Sequence, residues 1–300
     1  MNIATSSKLG LALAGAIVLL IDPRPVRATA GDLYVTNSGN DTVVRITPAG
    51  VVIPVPITGL SQPHGLAFDS AGNLFVGNIG NNTILKFTTG GTTTTFANTG
   101  LSTPRGLAFD PAGNLYAANY GNNTIERFAP DGTASIFAST GLNLPRGLAF
   151  DGAGNLFAAN FGSNNIVRIA PNGNTAIFAS TVSTPFDVAF DSTGRLYASN
   201  GSNDAIQRFT PAGVGSTFAT ASPSSFSYGL AFDTSGRLYV SGRNGNRIER
   251  FTTAGVRSSF DNTGLSSPTF IAFEGVPLNV PEPSSAALLC AASLLLRARR

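Results

Sequence analysis

Two arginines in identical settings mark the part of this sequence with the clearest chemical potential. Arg105 and Arg146 stand 41 residues apart, each inside the run Pro-Arg-Gly-Leu-Ala-Phe-Asp. One step earlier the same place is held by His64, the only histidine among the 300 residues; later steps put Phe186, Tyr228 and Thr269 there. Guanidinium groups brought side by side repel each other unless water or an anion lies between them. The pair therefore suits a carboxylate- or sulfate-bearing ligand. Tyr120 and Phe161 follow the two arginines at equal spacing and offer flat faces to a sugar or other planar group. Phe186, Asp187 and Tyr228 make the rest of the same mouth less basic. The expected ligand-binding set is His64, Arg105, Arg146, Phe186, Asp187, Tyr228, Tyr120 and Phe161.

Catalysis has little to draw on. A serine nucleophile needs a nearby base, and His64 is the only histidine available for that task. No serine sits in a Gly-x-Ser-x-Gly elbow. One cysteine and one histidine exclude disulfide scaffolds and any site needing two histidines. Asp187 is the one non-repeated acid near the mouth, and a single carboxylate with neutral amides would hold calcium only weakly. The expectation is that no cofactor is bound.

These residues must be positioned by a repeat. The heptad Pro63–Asp69 recurs as Pro104–Asp110, Pro145–Asp151, Pro185–Asp191, Ser227–Asp233 and Pro268–Glu274. A Gly-x-Leu-[Phe/Tyr] element recurs at Gly31, Gly72, Gly113, Gly154, Gly194 and Gly236. Each unit divides into four strand-length pieces separated by turn residues, for example Leu66–Phe68, Leu74–Gly77, Ile84–Phe87 and Thr94–Ala97. Four short antiparallel strands per unit of about 40–45 residues describe a propeller blade. The first unit opens at its second strand and the last has only a first strand. The expected fold is therefore an all-β, six-bladed propeller whose ring is closed by pairing of N- and C-terminal strands. The repeated Asp69, Asp110, Asp151, Asp191 and Asp233 read as turn-formers.

The runs Pro-x-Gly-Leu-Ala-Phe-Asp-x-x-Gly-Asn-Leu-Tyr, followed by Ile-x-Arg-Phe, resemble NHL repeats. That family is related to the SMP-30/gluconolactonase and streptogramin-lyase groups. The resemblance implies the same propeller, a fold that hosts lactonases, lyases, sensors and plain interaction modules. It also implies what an enzyme of the group would need. The lactonases hold a divalent cation through acidic and amide oxygens, at positions filled here by Arg105, Arg146 and asparagines. The lyases pair a histidine with a glutamate base, and His64 has no glutamate at an equivalent turn; Glu126 and Glu249 lie in third strands.

The two ends read as addresses flanking a domain at 31–280. Residues 1–30 carry Lys8, an apolar stretch Leu9–Ile21 and an Ala28-x-Ala30 cleavage signal, the pattern of a signal peptide. Residues 281–300 carry Pro281-Glu282-Pro283, an apolar run Ala286–Leu296 and the cluster Arg297, Arg299, Arg300. This tail resembles the PEP-CTERM sorting signal. It implies an exosortase-type processing protease as partner, transient inner-membrane anchoring, then release to the cell surface or outside. Overall the chain is +3, but residues 31–280 hold 13 basic against 14 acidic residues. A near-neutral domain has no electrostatic footprint for nucleic acid. The expected function is an exported, non-enzymatic, monomeric binding module for an acidic extracellular polysaccharide or surface protein. The alternative is a propeller-family hydrolase or lyase with a divalent cation.

Overall fold

The computed structural model describes residues 31–180, 182–222, 226–260 and 263–275. The signal-peptide and sorting-tail readings, including Pro281, Glu282 and Pro283, lie outside the described residues.

Among those residues, twenty-four strands form six four-stranded antiparallel sheets. Blade 1 contains β1 (Leu33–Asn37), β2 (Thr42–Ile46) and β3 (Val52–Val55), and its innermost strand is β24 (Pro268–Phe273), from the far end of the chain. Leu33 pairs with Phe273 and Val35 with Ile271, so three N-terminal strands and one C-terminal strand close the ring. Blades 2 to 6 each run inner to outer in chain order. Their inner strands are β4 (Pro63–Phe68), β8 (Pro104–Phe109), β12 (Pro145–Phe150), β16 (Pro185–Phe190) and β20 (Ser227–Phe232). The second strands are β5 (Leu74–Asn78), β9 (Leu115–Asn119), β13 (Leu156–Asn160), β17 (Leu196–Asn200) and β21 (Leu238–Gly242). The fold class read from the repeat is the fold observed.

One contact joins every blade to the next. The Tyr or Phe of each second strand meets the last Phe of the following inner strand edge-to-face. Tyr34–Phe68, Phe75–Phe109, Tyr116–Phe150, Phe157–Phe190, Tyr197–Phe232 and Tyr239–Phe273 have centroids 4.9–5.1 Å apart. Such pairs contribute about 0.5–1.5 kcal/mol each beyond the area they bury. The repeated aspartates are turn-formers, as their recurrence implied. Asp69 Oδ1 accepts from the amides of Ala71 and Asn73, and Gly72 supplies the left-handed position (φ 79°).

Inner strands begin three residues earlier than the Leu-Ala-Phe core of the heptad. The leading residues therefore lie inside strands, next to a bulge that recurs in each blade. Neighbouring inner strands converge there. A Cβ on Gly65 would lie 2.1 Å from the Arg105 carbonyl oxygen, and one on Gly106 would lie 2.2 Å from that of Arg146. Only glycine allows this approach.

At the fourth residue of the second strand the ring loses its symmetry. Thr36 Oγ1 accepts from Phe270 N–H (3.0 Å) in its own blade and donates to His64 O (2.7 Å) in the next. Ser199 Oγ likewise joins Asp187 N–H to Tyr228 O, and Ser241 Oγ joins Gly229 N–H to Thr269 O. Blades 2, 3 and 4 place Gly77, Ala118 and Ala159 at this position and lack the hydroxyl. Ala118→Ser should supply it, and an added intramolecular hydrogen bond is worth about 0.5–1.5 kcal/mol. Thermal or urea unfolding is expected to show a stabilised variant. A destabilised one would mean that the facing backbone groups are already satisfied.

Candidate functional site

The six leading residues cluster at one end of the central channel. Each follows a residue with positive φ, such as Thr103 (51°) before Pro104-Arg105 and Leu144 (52°) before Pro145-Arg146. Non-glycine residues there are strained. A side-chain oxygen of the preceding blade holds those that lead to the histidine and the two arginines: Asp41 Oδ1 accepts from Gln62 N–H (2.6 Å), Asn82 Oδ1 from Thr103 N–H (2.6 Å) and Asn123 Oδ1 from Leu144 N–H (2.7 Å). The backbone carrying the two arginines is thus fixed from both sides.

Arg105 and Arg146 do come together, and they meet on Tyr228. Its hydroxyl oxygen accepts from Arg105 Nη1 (2.7 Å) and Arg146 Nη1 (3.1 Å). Tyr228 belongs to blade 6, across the axis from blade 3, so it fills the channel rather than forming a distant wall. It is 1% exposed and packs with Phe186 and Phe270, with Phe161 against them. Arg146 lies over the Phe161 ring at 3.9 Å and over Phe186 at 4.1 Å. Arg105 lies over Tyr120 at 4.3 Å. The aromatic residues therefore stack on the guanidinium groups, and their faces are already in use.

Neither arginine has a carboxylate partner among the described residues. Arg146 is 7% exposed, and the Nε atoms of both are buried without a hydrogen bond. Burial foremost, with the nearby Arg105 charge adding to it, holds the Arg146 pKa below the ordinary arginine value. A desolvated, unpaired cation is costly unless something neutralises it.

His64 is buried beside them, its ring 6.0 Å from that of Tyr228. Burial, then the charge of Arg105 and lesser effects from Arg243 and Arg146, push its pKa down to about 3.

Asp187 requires a correction. It was expected at the mouth as a ligand-facing acid, but its carboxylate is turned into the joint between blades 5 and 6. Oδ2 accepts from Leu230 N–H (2.8 Å) and Oδ1 from Val188 N–H (2.9 Å). It occupies the step where four other blades carry glycine, and these two amide bonds hold its carboxylate away from the arginines. The asparagines ending the second strands are likewise spent on structure. Asn78 accepts from Ser61 N–H and donates to Gly59 O and Thr83 Oγ1, and Asn119 repeats the pattern. Among the described residues no group of three His, Cys, Asp or Glu side chains could hold a metal ion.

A cavity of about 960 Å³ lies at the other end of the axis, between the Leu-Ala-Phe segments and the aspartate turns. None of the leading residues lines it. Each inner strand pairs on one edge only, and the side chains of Leu66, Leu107 and Phe109 pack between blades. Unpaired backbone edges are therefore left toward the axis.

No family model and no curated protein matches this sequence. Solved structures do. A chain of a nidogen/laminin complex aligns at TM-score 0.73 with 19% identity, covering 81% of this chain and 98% of that one. A streptogramin B lyase aligns at TM-score 0.66 with 17% identity, covering 83% and 94%. A gluconolactonase from Xanthomonas campestris aligns at TM-score 0.64 with 18% identity, covering 82% and 89%. The likeness is one of fold. This six-bladed propeller has structural neighbours among the gluconolactonases and streptogramin lyases.

The buried acid makes a direct prediction. Burial raises the Asp187 pKa to about 8, against about 3.9 in an unfolded chain. The folded state binds the extra proton, so this contribution is present at low pH and lost as pH rises toward 8. Unfolding midpoints of wild type and Asp187→Asn are expected to diverge between about pH 4 and pH 8, with wild type losing ground as pH rises and the gap constant above that. A difference independent of pH would show that Asp187 is ionised throughout.

Proposed function

We propose that the arginine-bearing end of the channel is a binding site for a small carboxylate-bearing group, such as an acidic sugar on an extracellular polymer. The single observation that carries this reading is Arg146: a cation stacked between two rings, 7% exposed, with no counter-ion among the described residues and an unpartnered Nε. Arg105 beside it doubles the charge. A carboxylate would neutralise both and accept their remaining N–H groups. On this reading the protein acts as a binding module, and the terminal segments serve to export it and sort it to the cell surface.

The company the fold keeps favours a second reading. Several solved neighbours are enzymes, lyases and gluconolactonases among them. The working group would then centre on His64, with the guanidinium pair stabilising a developing anion. A neutral imidazole with a pKa of about 3 is a weak base, which is why binding is placed first.

Titration calorimetry of the full chain with glucuronate tests the binding reading. Arg105→Ala/Arg146→Ala is expected to weaken binding by about 2–5 kcal/mol, as when a charged partner is removed. Equal affinities would leave this face without a role. Incubation with an aldonolactone and with a cyclic depsipeptide separates the readings. Turnover that disappears in His64→Ala would establish the enzyme; an unchanged substrate is the expected result.

A further inference from the structure

His64 completes the donor–acceptor pattern of the site. Its Nδ1 lies 3.2 Å from the Gln62 carbonyl oxygen. A carbonyl only accepts, so Nδ1 carries the proton. This is the one hydrogen bond the imidazole makes among the described residues. Cations on Arg105, Arg243 and Arg146 act against a second proton, and no carboxylate is among the groups acting on the ring. At neutral pH, Nε2 therefore keeps its lone pair.

The groups around it are donors. The Arg105 and Arg146 guanidiniums have no acceptor capacity, and the Tyr228 oxygen already accepts from both. With its lone pairs taken, the Tyr228 hydroxyl is left to donate. Near Arg105, Arg146 and Tyr228, then, the site combines several donors with one acceptor, His64 Nε2. A plain anion satisfies the donors and strands the acceptor. A ligand hydroxyl would supply the donor that Nε2 lacks among the described residues.

We propose that the site selects a hydroxy acid: its carboxylate on Arg105 and Arg146, and its adjacent hydroxyl donating to His64 Nε2. This rests on the carboxylate-binding reading and adds a specificity determinant to it. An amine in place of the hydroxyl would also donate, but its positive charge would face Arg105, Arg146 and Arg243. A ketone would present a second acceptor to an acceptor.

Mandelate and phenylacetate differ by that one hydroxyl, and each carries a flat ring. Calorimetric titration of the full chain at neutral pH is expected to show mandelate binding about tenfold tighter. In His64→Phe, which removes the acceptor and keeps a ring, the advantage of mandelate over phenylacetate should fall below about twofold, whatever the absolute affinities become. His64→Gln, which restores an acceptor oxygen, should recover part of that advantage. Equal binding of both acids to wild type, with loss of both in Arg105→Ala/Arg146→Ala, would overturn the hydroxy-acid proposal and leave the carboxylate site standing. A preference that survives in His64→Phe would also overturn it. If neither acid binds wild type, the carboxylate reading fails with it. The wild-type comparison needs no variant, so a misfolded His64 substitution does not shield the proposal.

Discussion

The edge-to-face aromatic contact repeated at all six blade joints is the constraint on which the rest of this structure depends. Its spacing varies by only 0.2 Å around the ring, and the closing joint, Tyr239–Phe273 with Tyr34–Phe68 beyond it, matches the internal ones. Six equal joints fix six equal angles, and the inner strands then converge on the axis. The convergence is tight enough that the residue after the leading position is glycine in four blades, where a Cβ would strike the neighbouring blade. Arg105, Arg146, Phe186 and Tyr228, all at the leading position, therefore meet at the channel mouth, while Thr269 is held in the joint between blades 1 and 2.

The mouth departs from that symmetry. Blades 5, 6 and 1 are tied at the mouth by Ser199, Ser241 and Thr36, each joining one inner strand to the next. Blades 2, 3 and 4 lack those hydroxyls, and they carry His64, Arg105 and Arg146. The tied half supplies Phe186, Tyr228 and Phe270, the apolar body against which the cations rest. An uncompensated pair of arginines is a local cost, borne by joints that are otherwise uniform. Proteins commonly accept such costs where they bind or react.

The fold was legible because each of its rules recurs six times. The period of about 41 residues, the aspartate–glycine turns and the missing first strand at the N-terminus gave blade count and closure together. The site was only partly legible. Spacing identified Arg105 and Arg146 as neighbours and named Tyr120, Phe161 and Tyr228 among their companions. It did not show that one tyrosine, from the opposite side of the ring, would receive both guanidiniums, since contact across the axis leaves no periodic trace. Asp187 was misplaced for a related reason. It stands at a glycine step, and only the approach of adjacent strands turns its carboxylate toward backbone amides instead of the mouth. The recurrence of the asparagines that end the second strands was the sign of a structural clamp.

The central claim is that an otherwise regular ring has been made into an anion site by two arginines seated on Tyr228. A crystal structure of the full chain grown with glucuronate tests it most directly. The account predicts a carboxylate within about 2.7–3.2 Å of N–H groups on both Arg105 and Arg146. A saturated crystal with the arginine pair bare, or with the sugar acid bound only in the cavity at the other end of the axis, would contradict it.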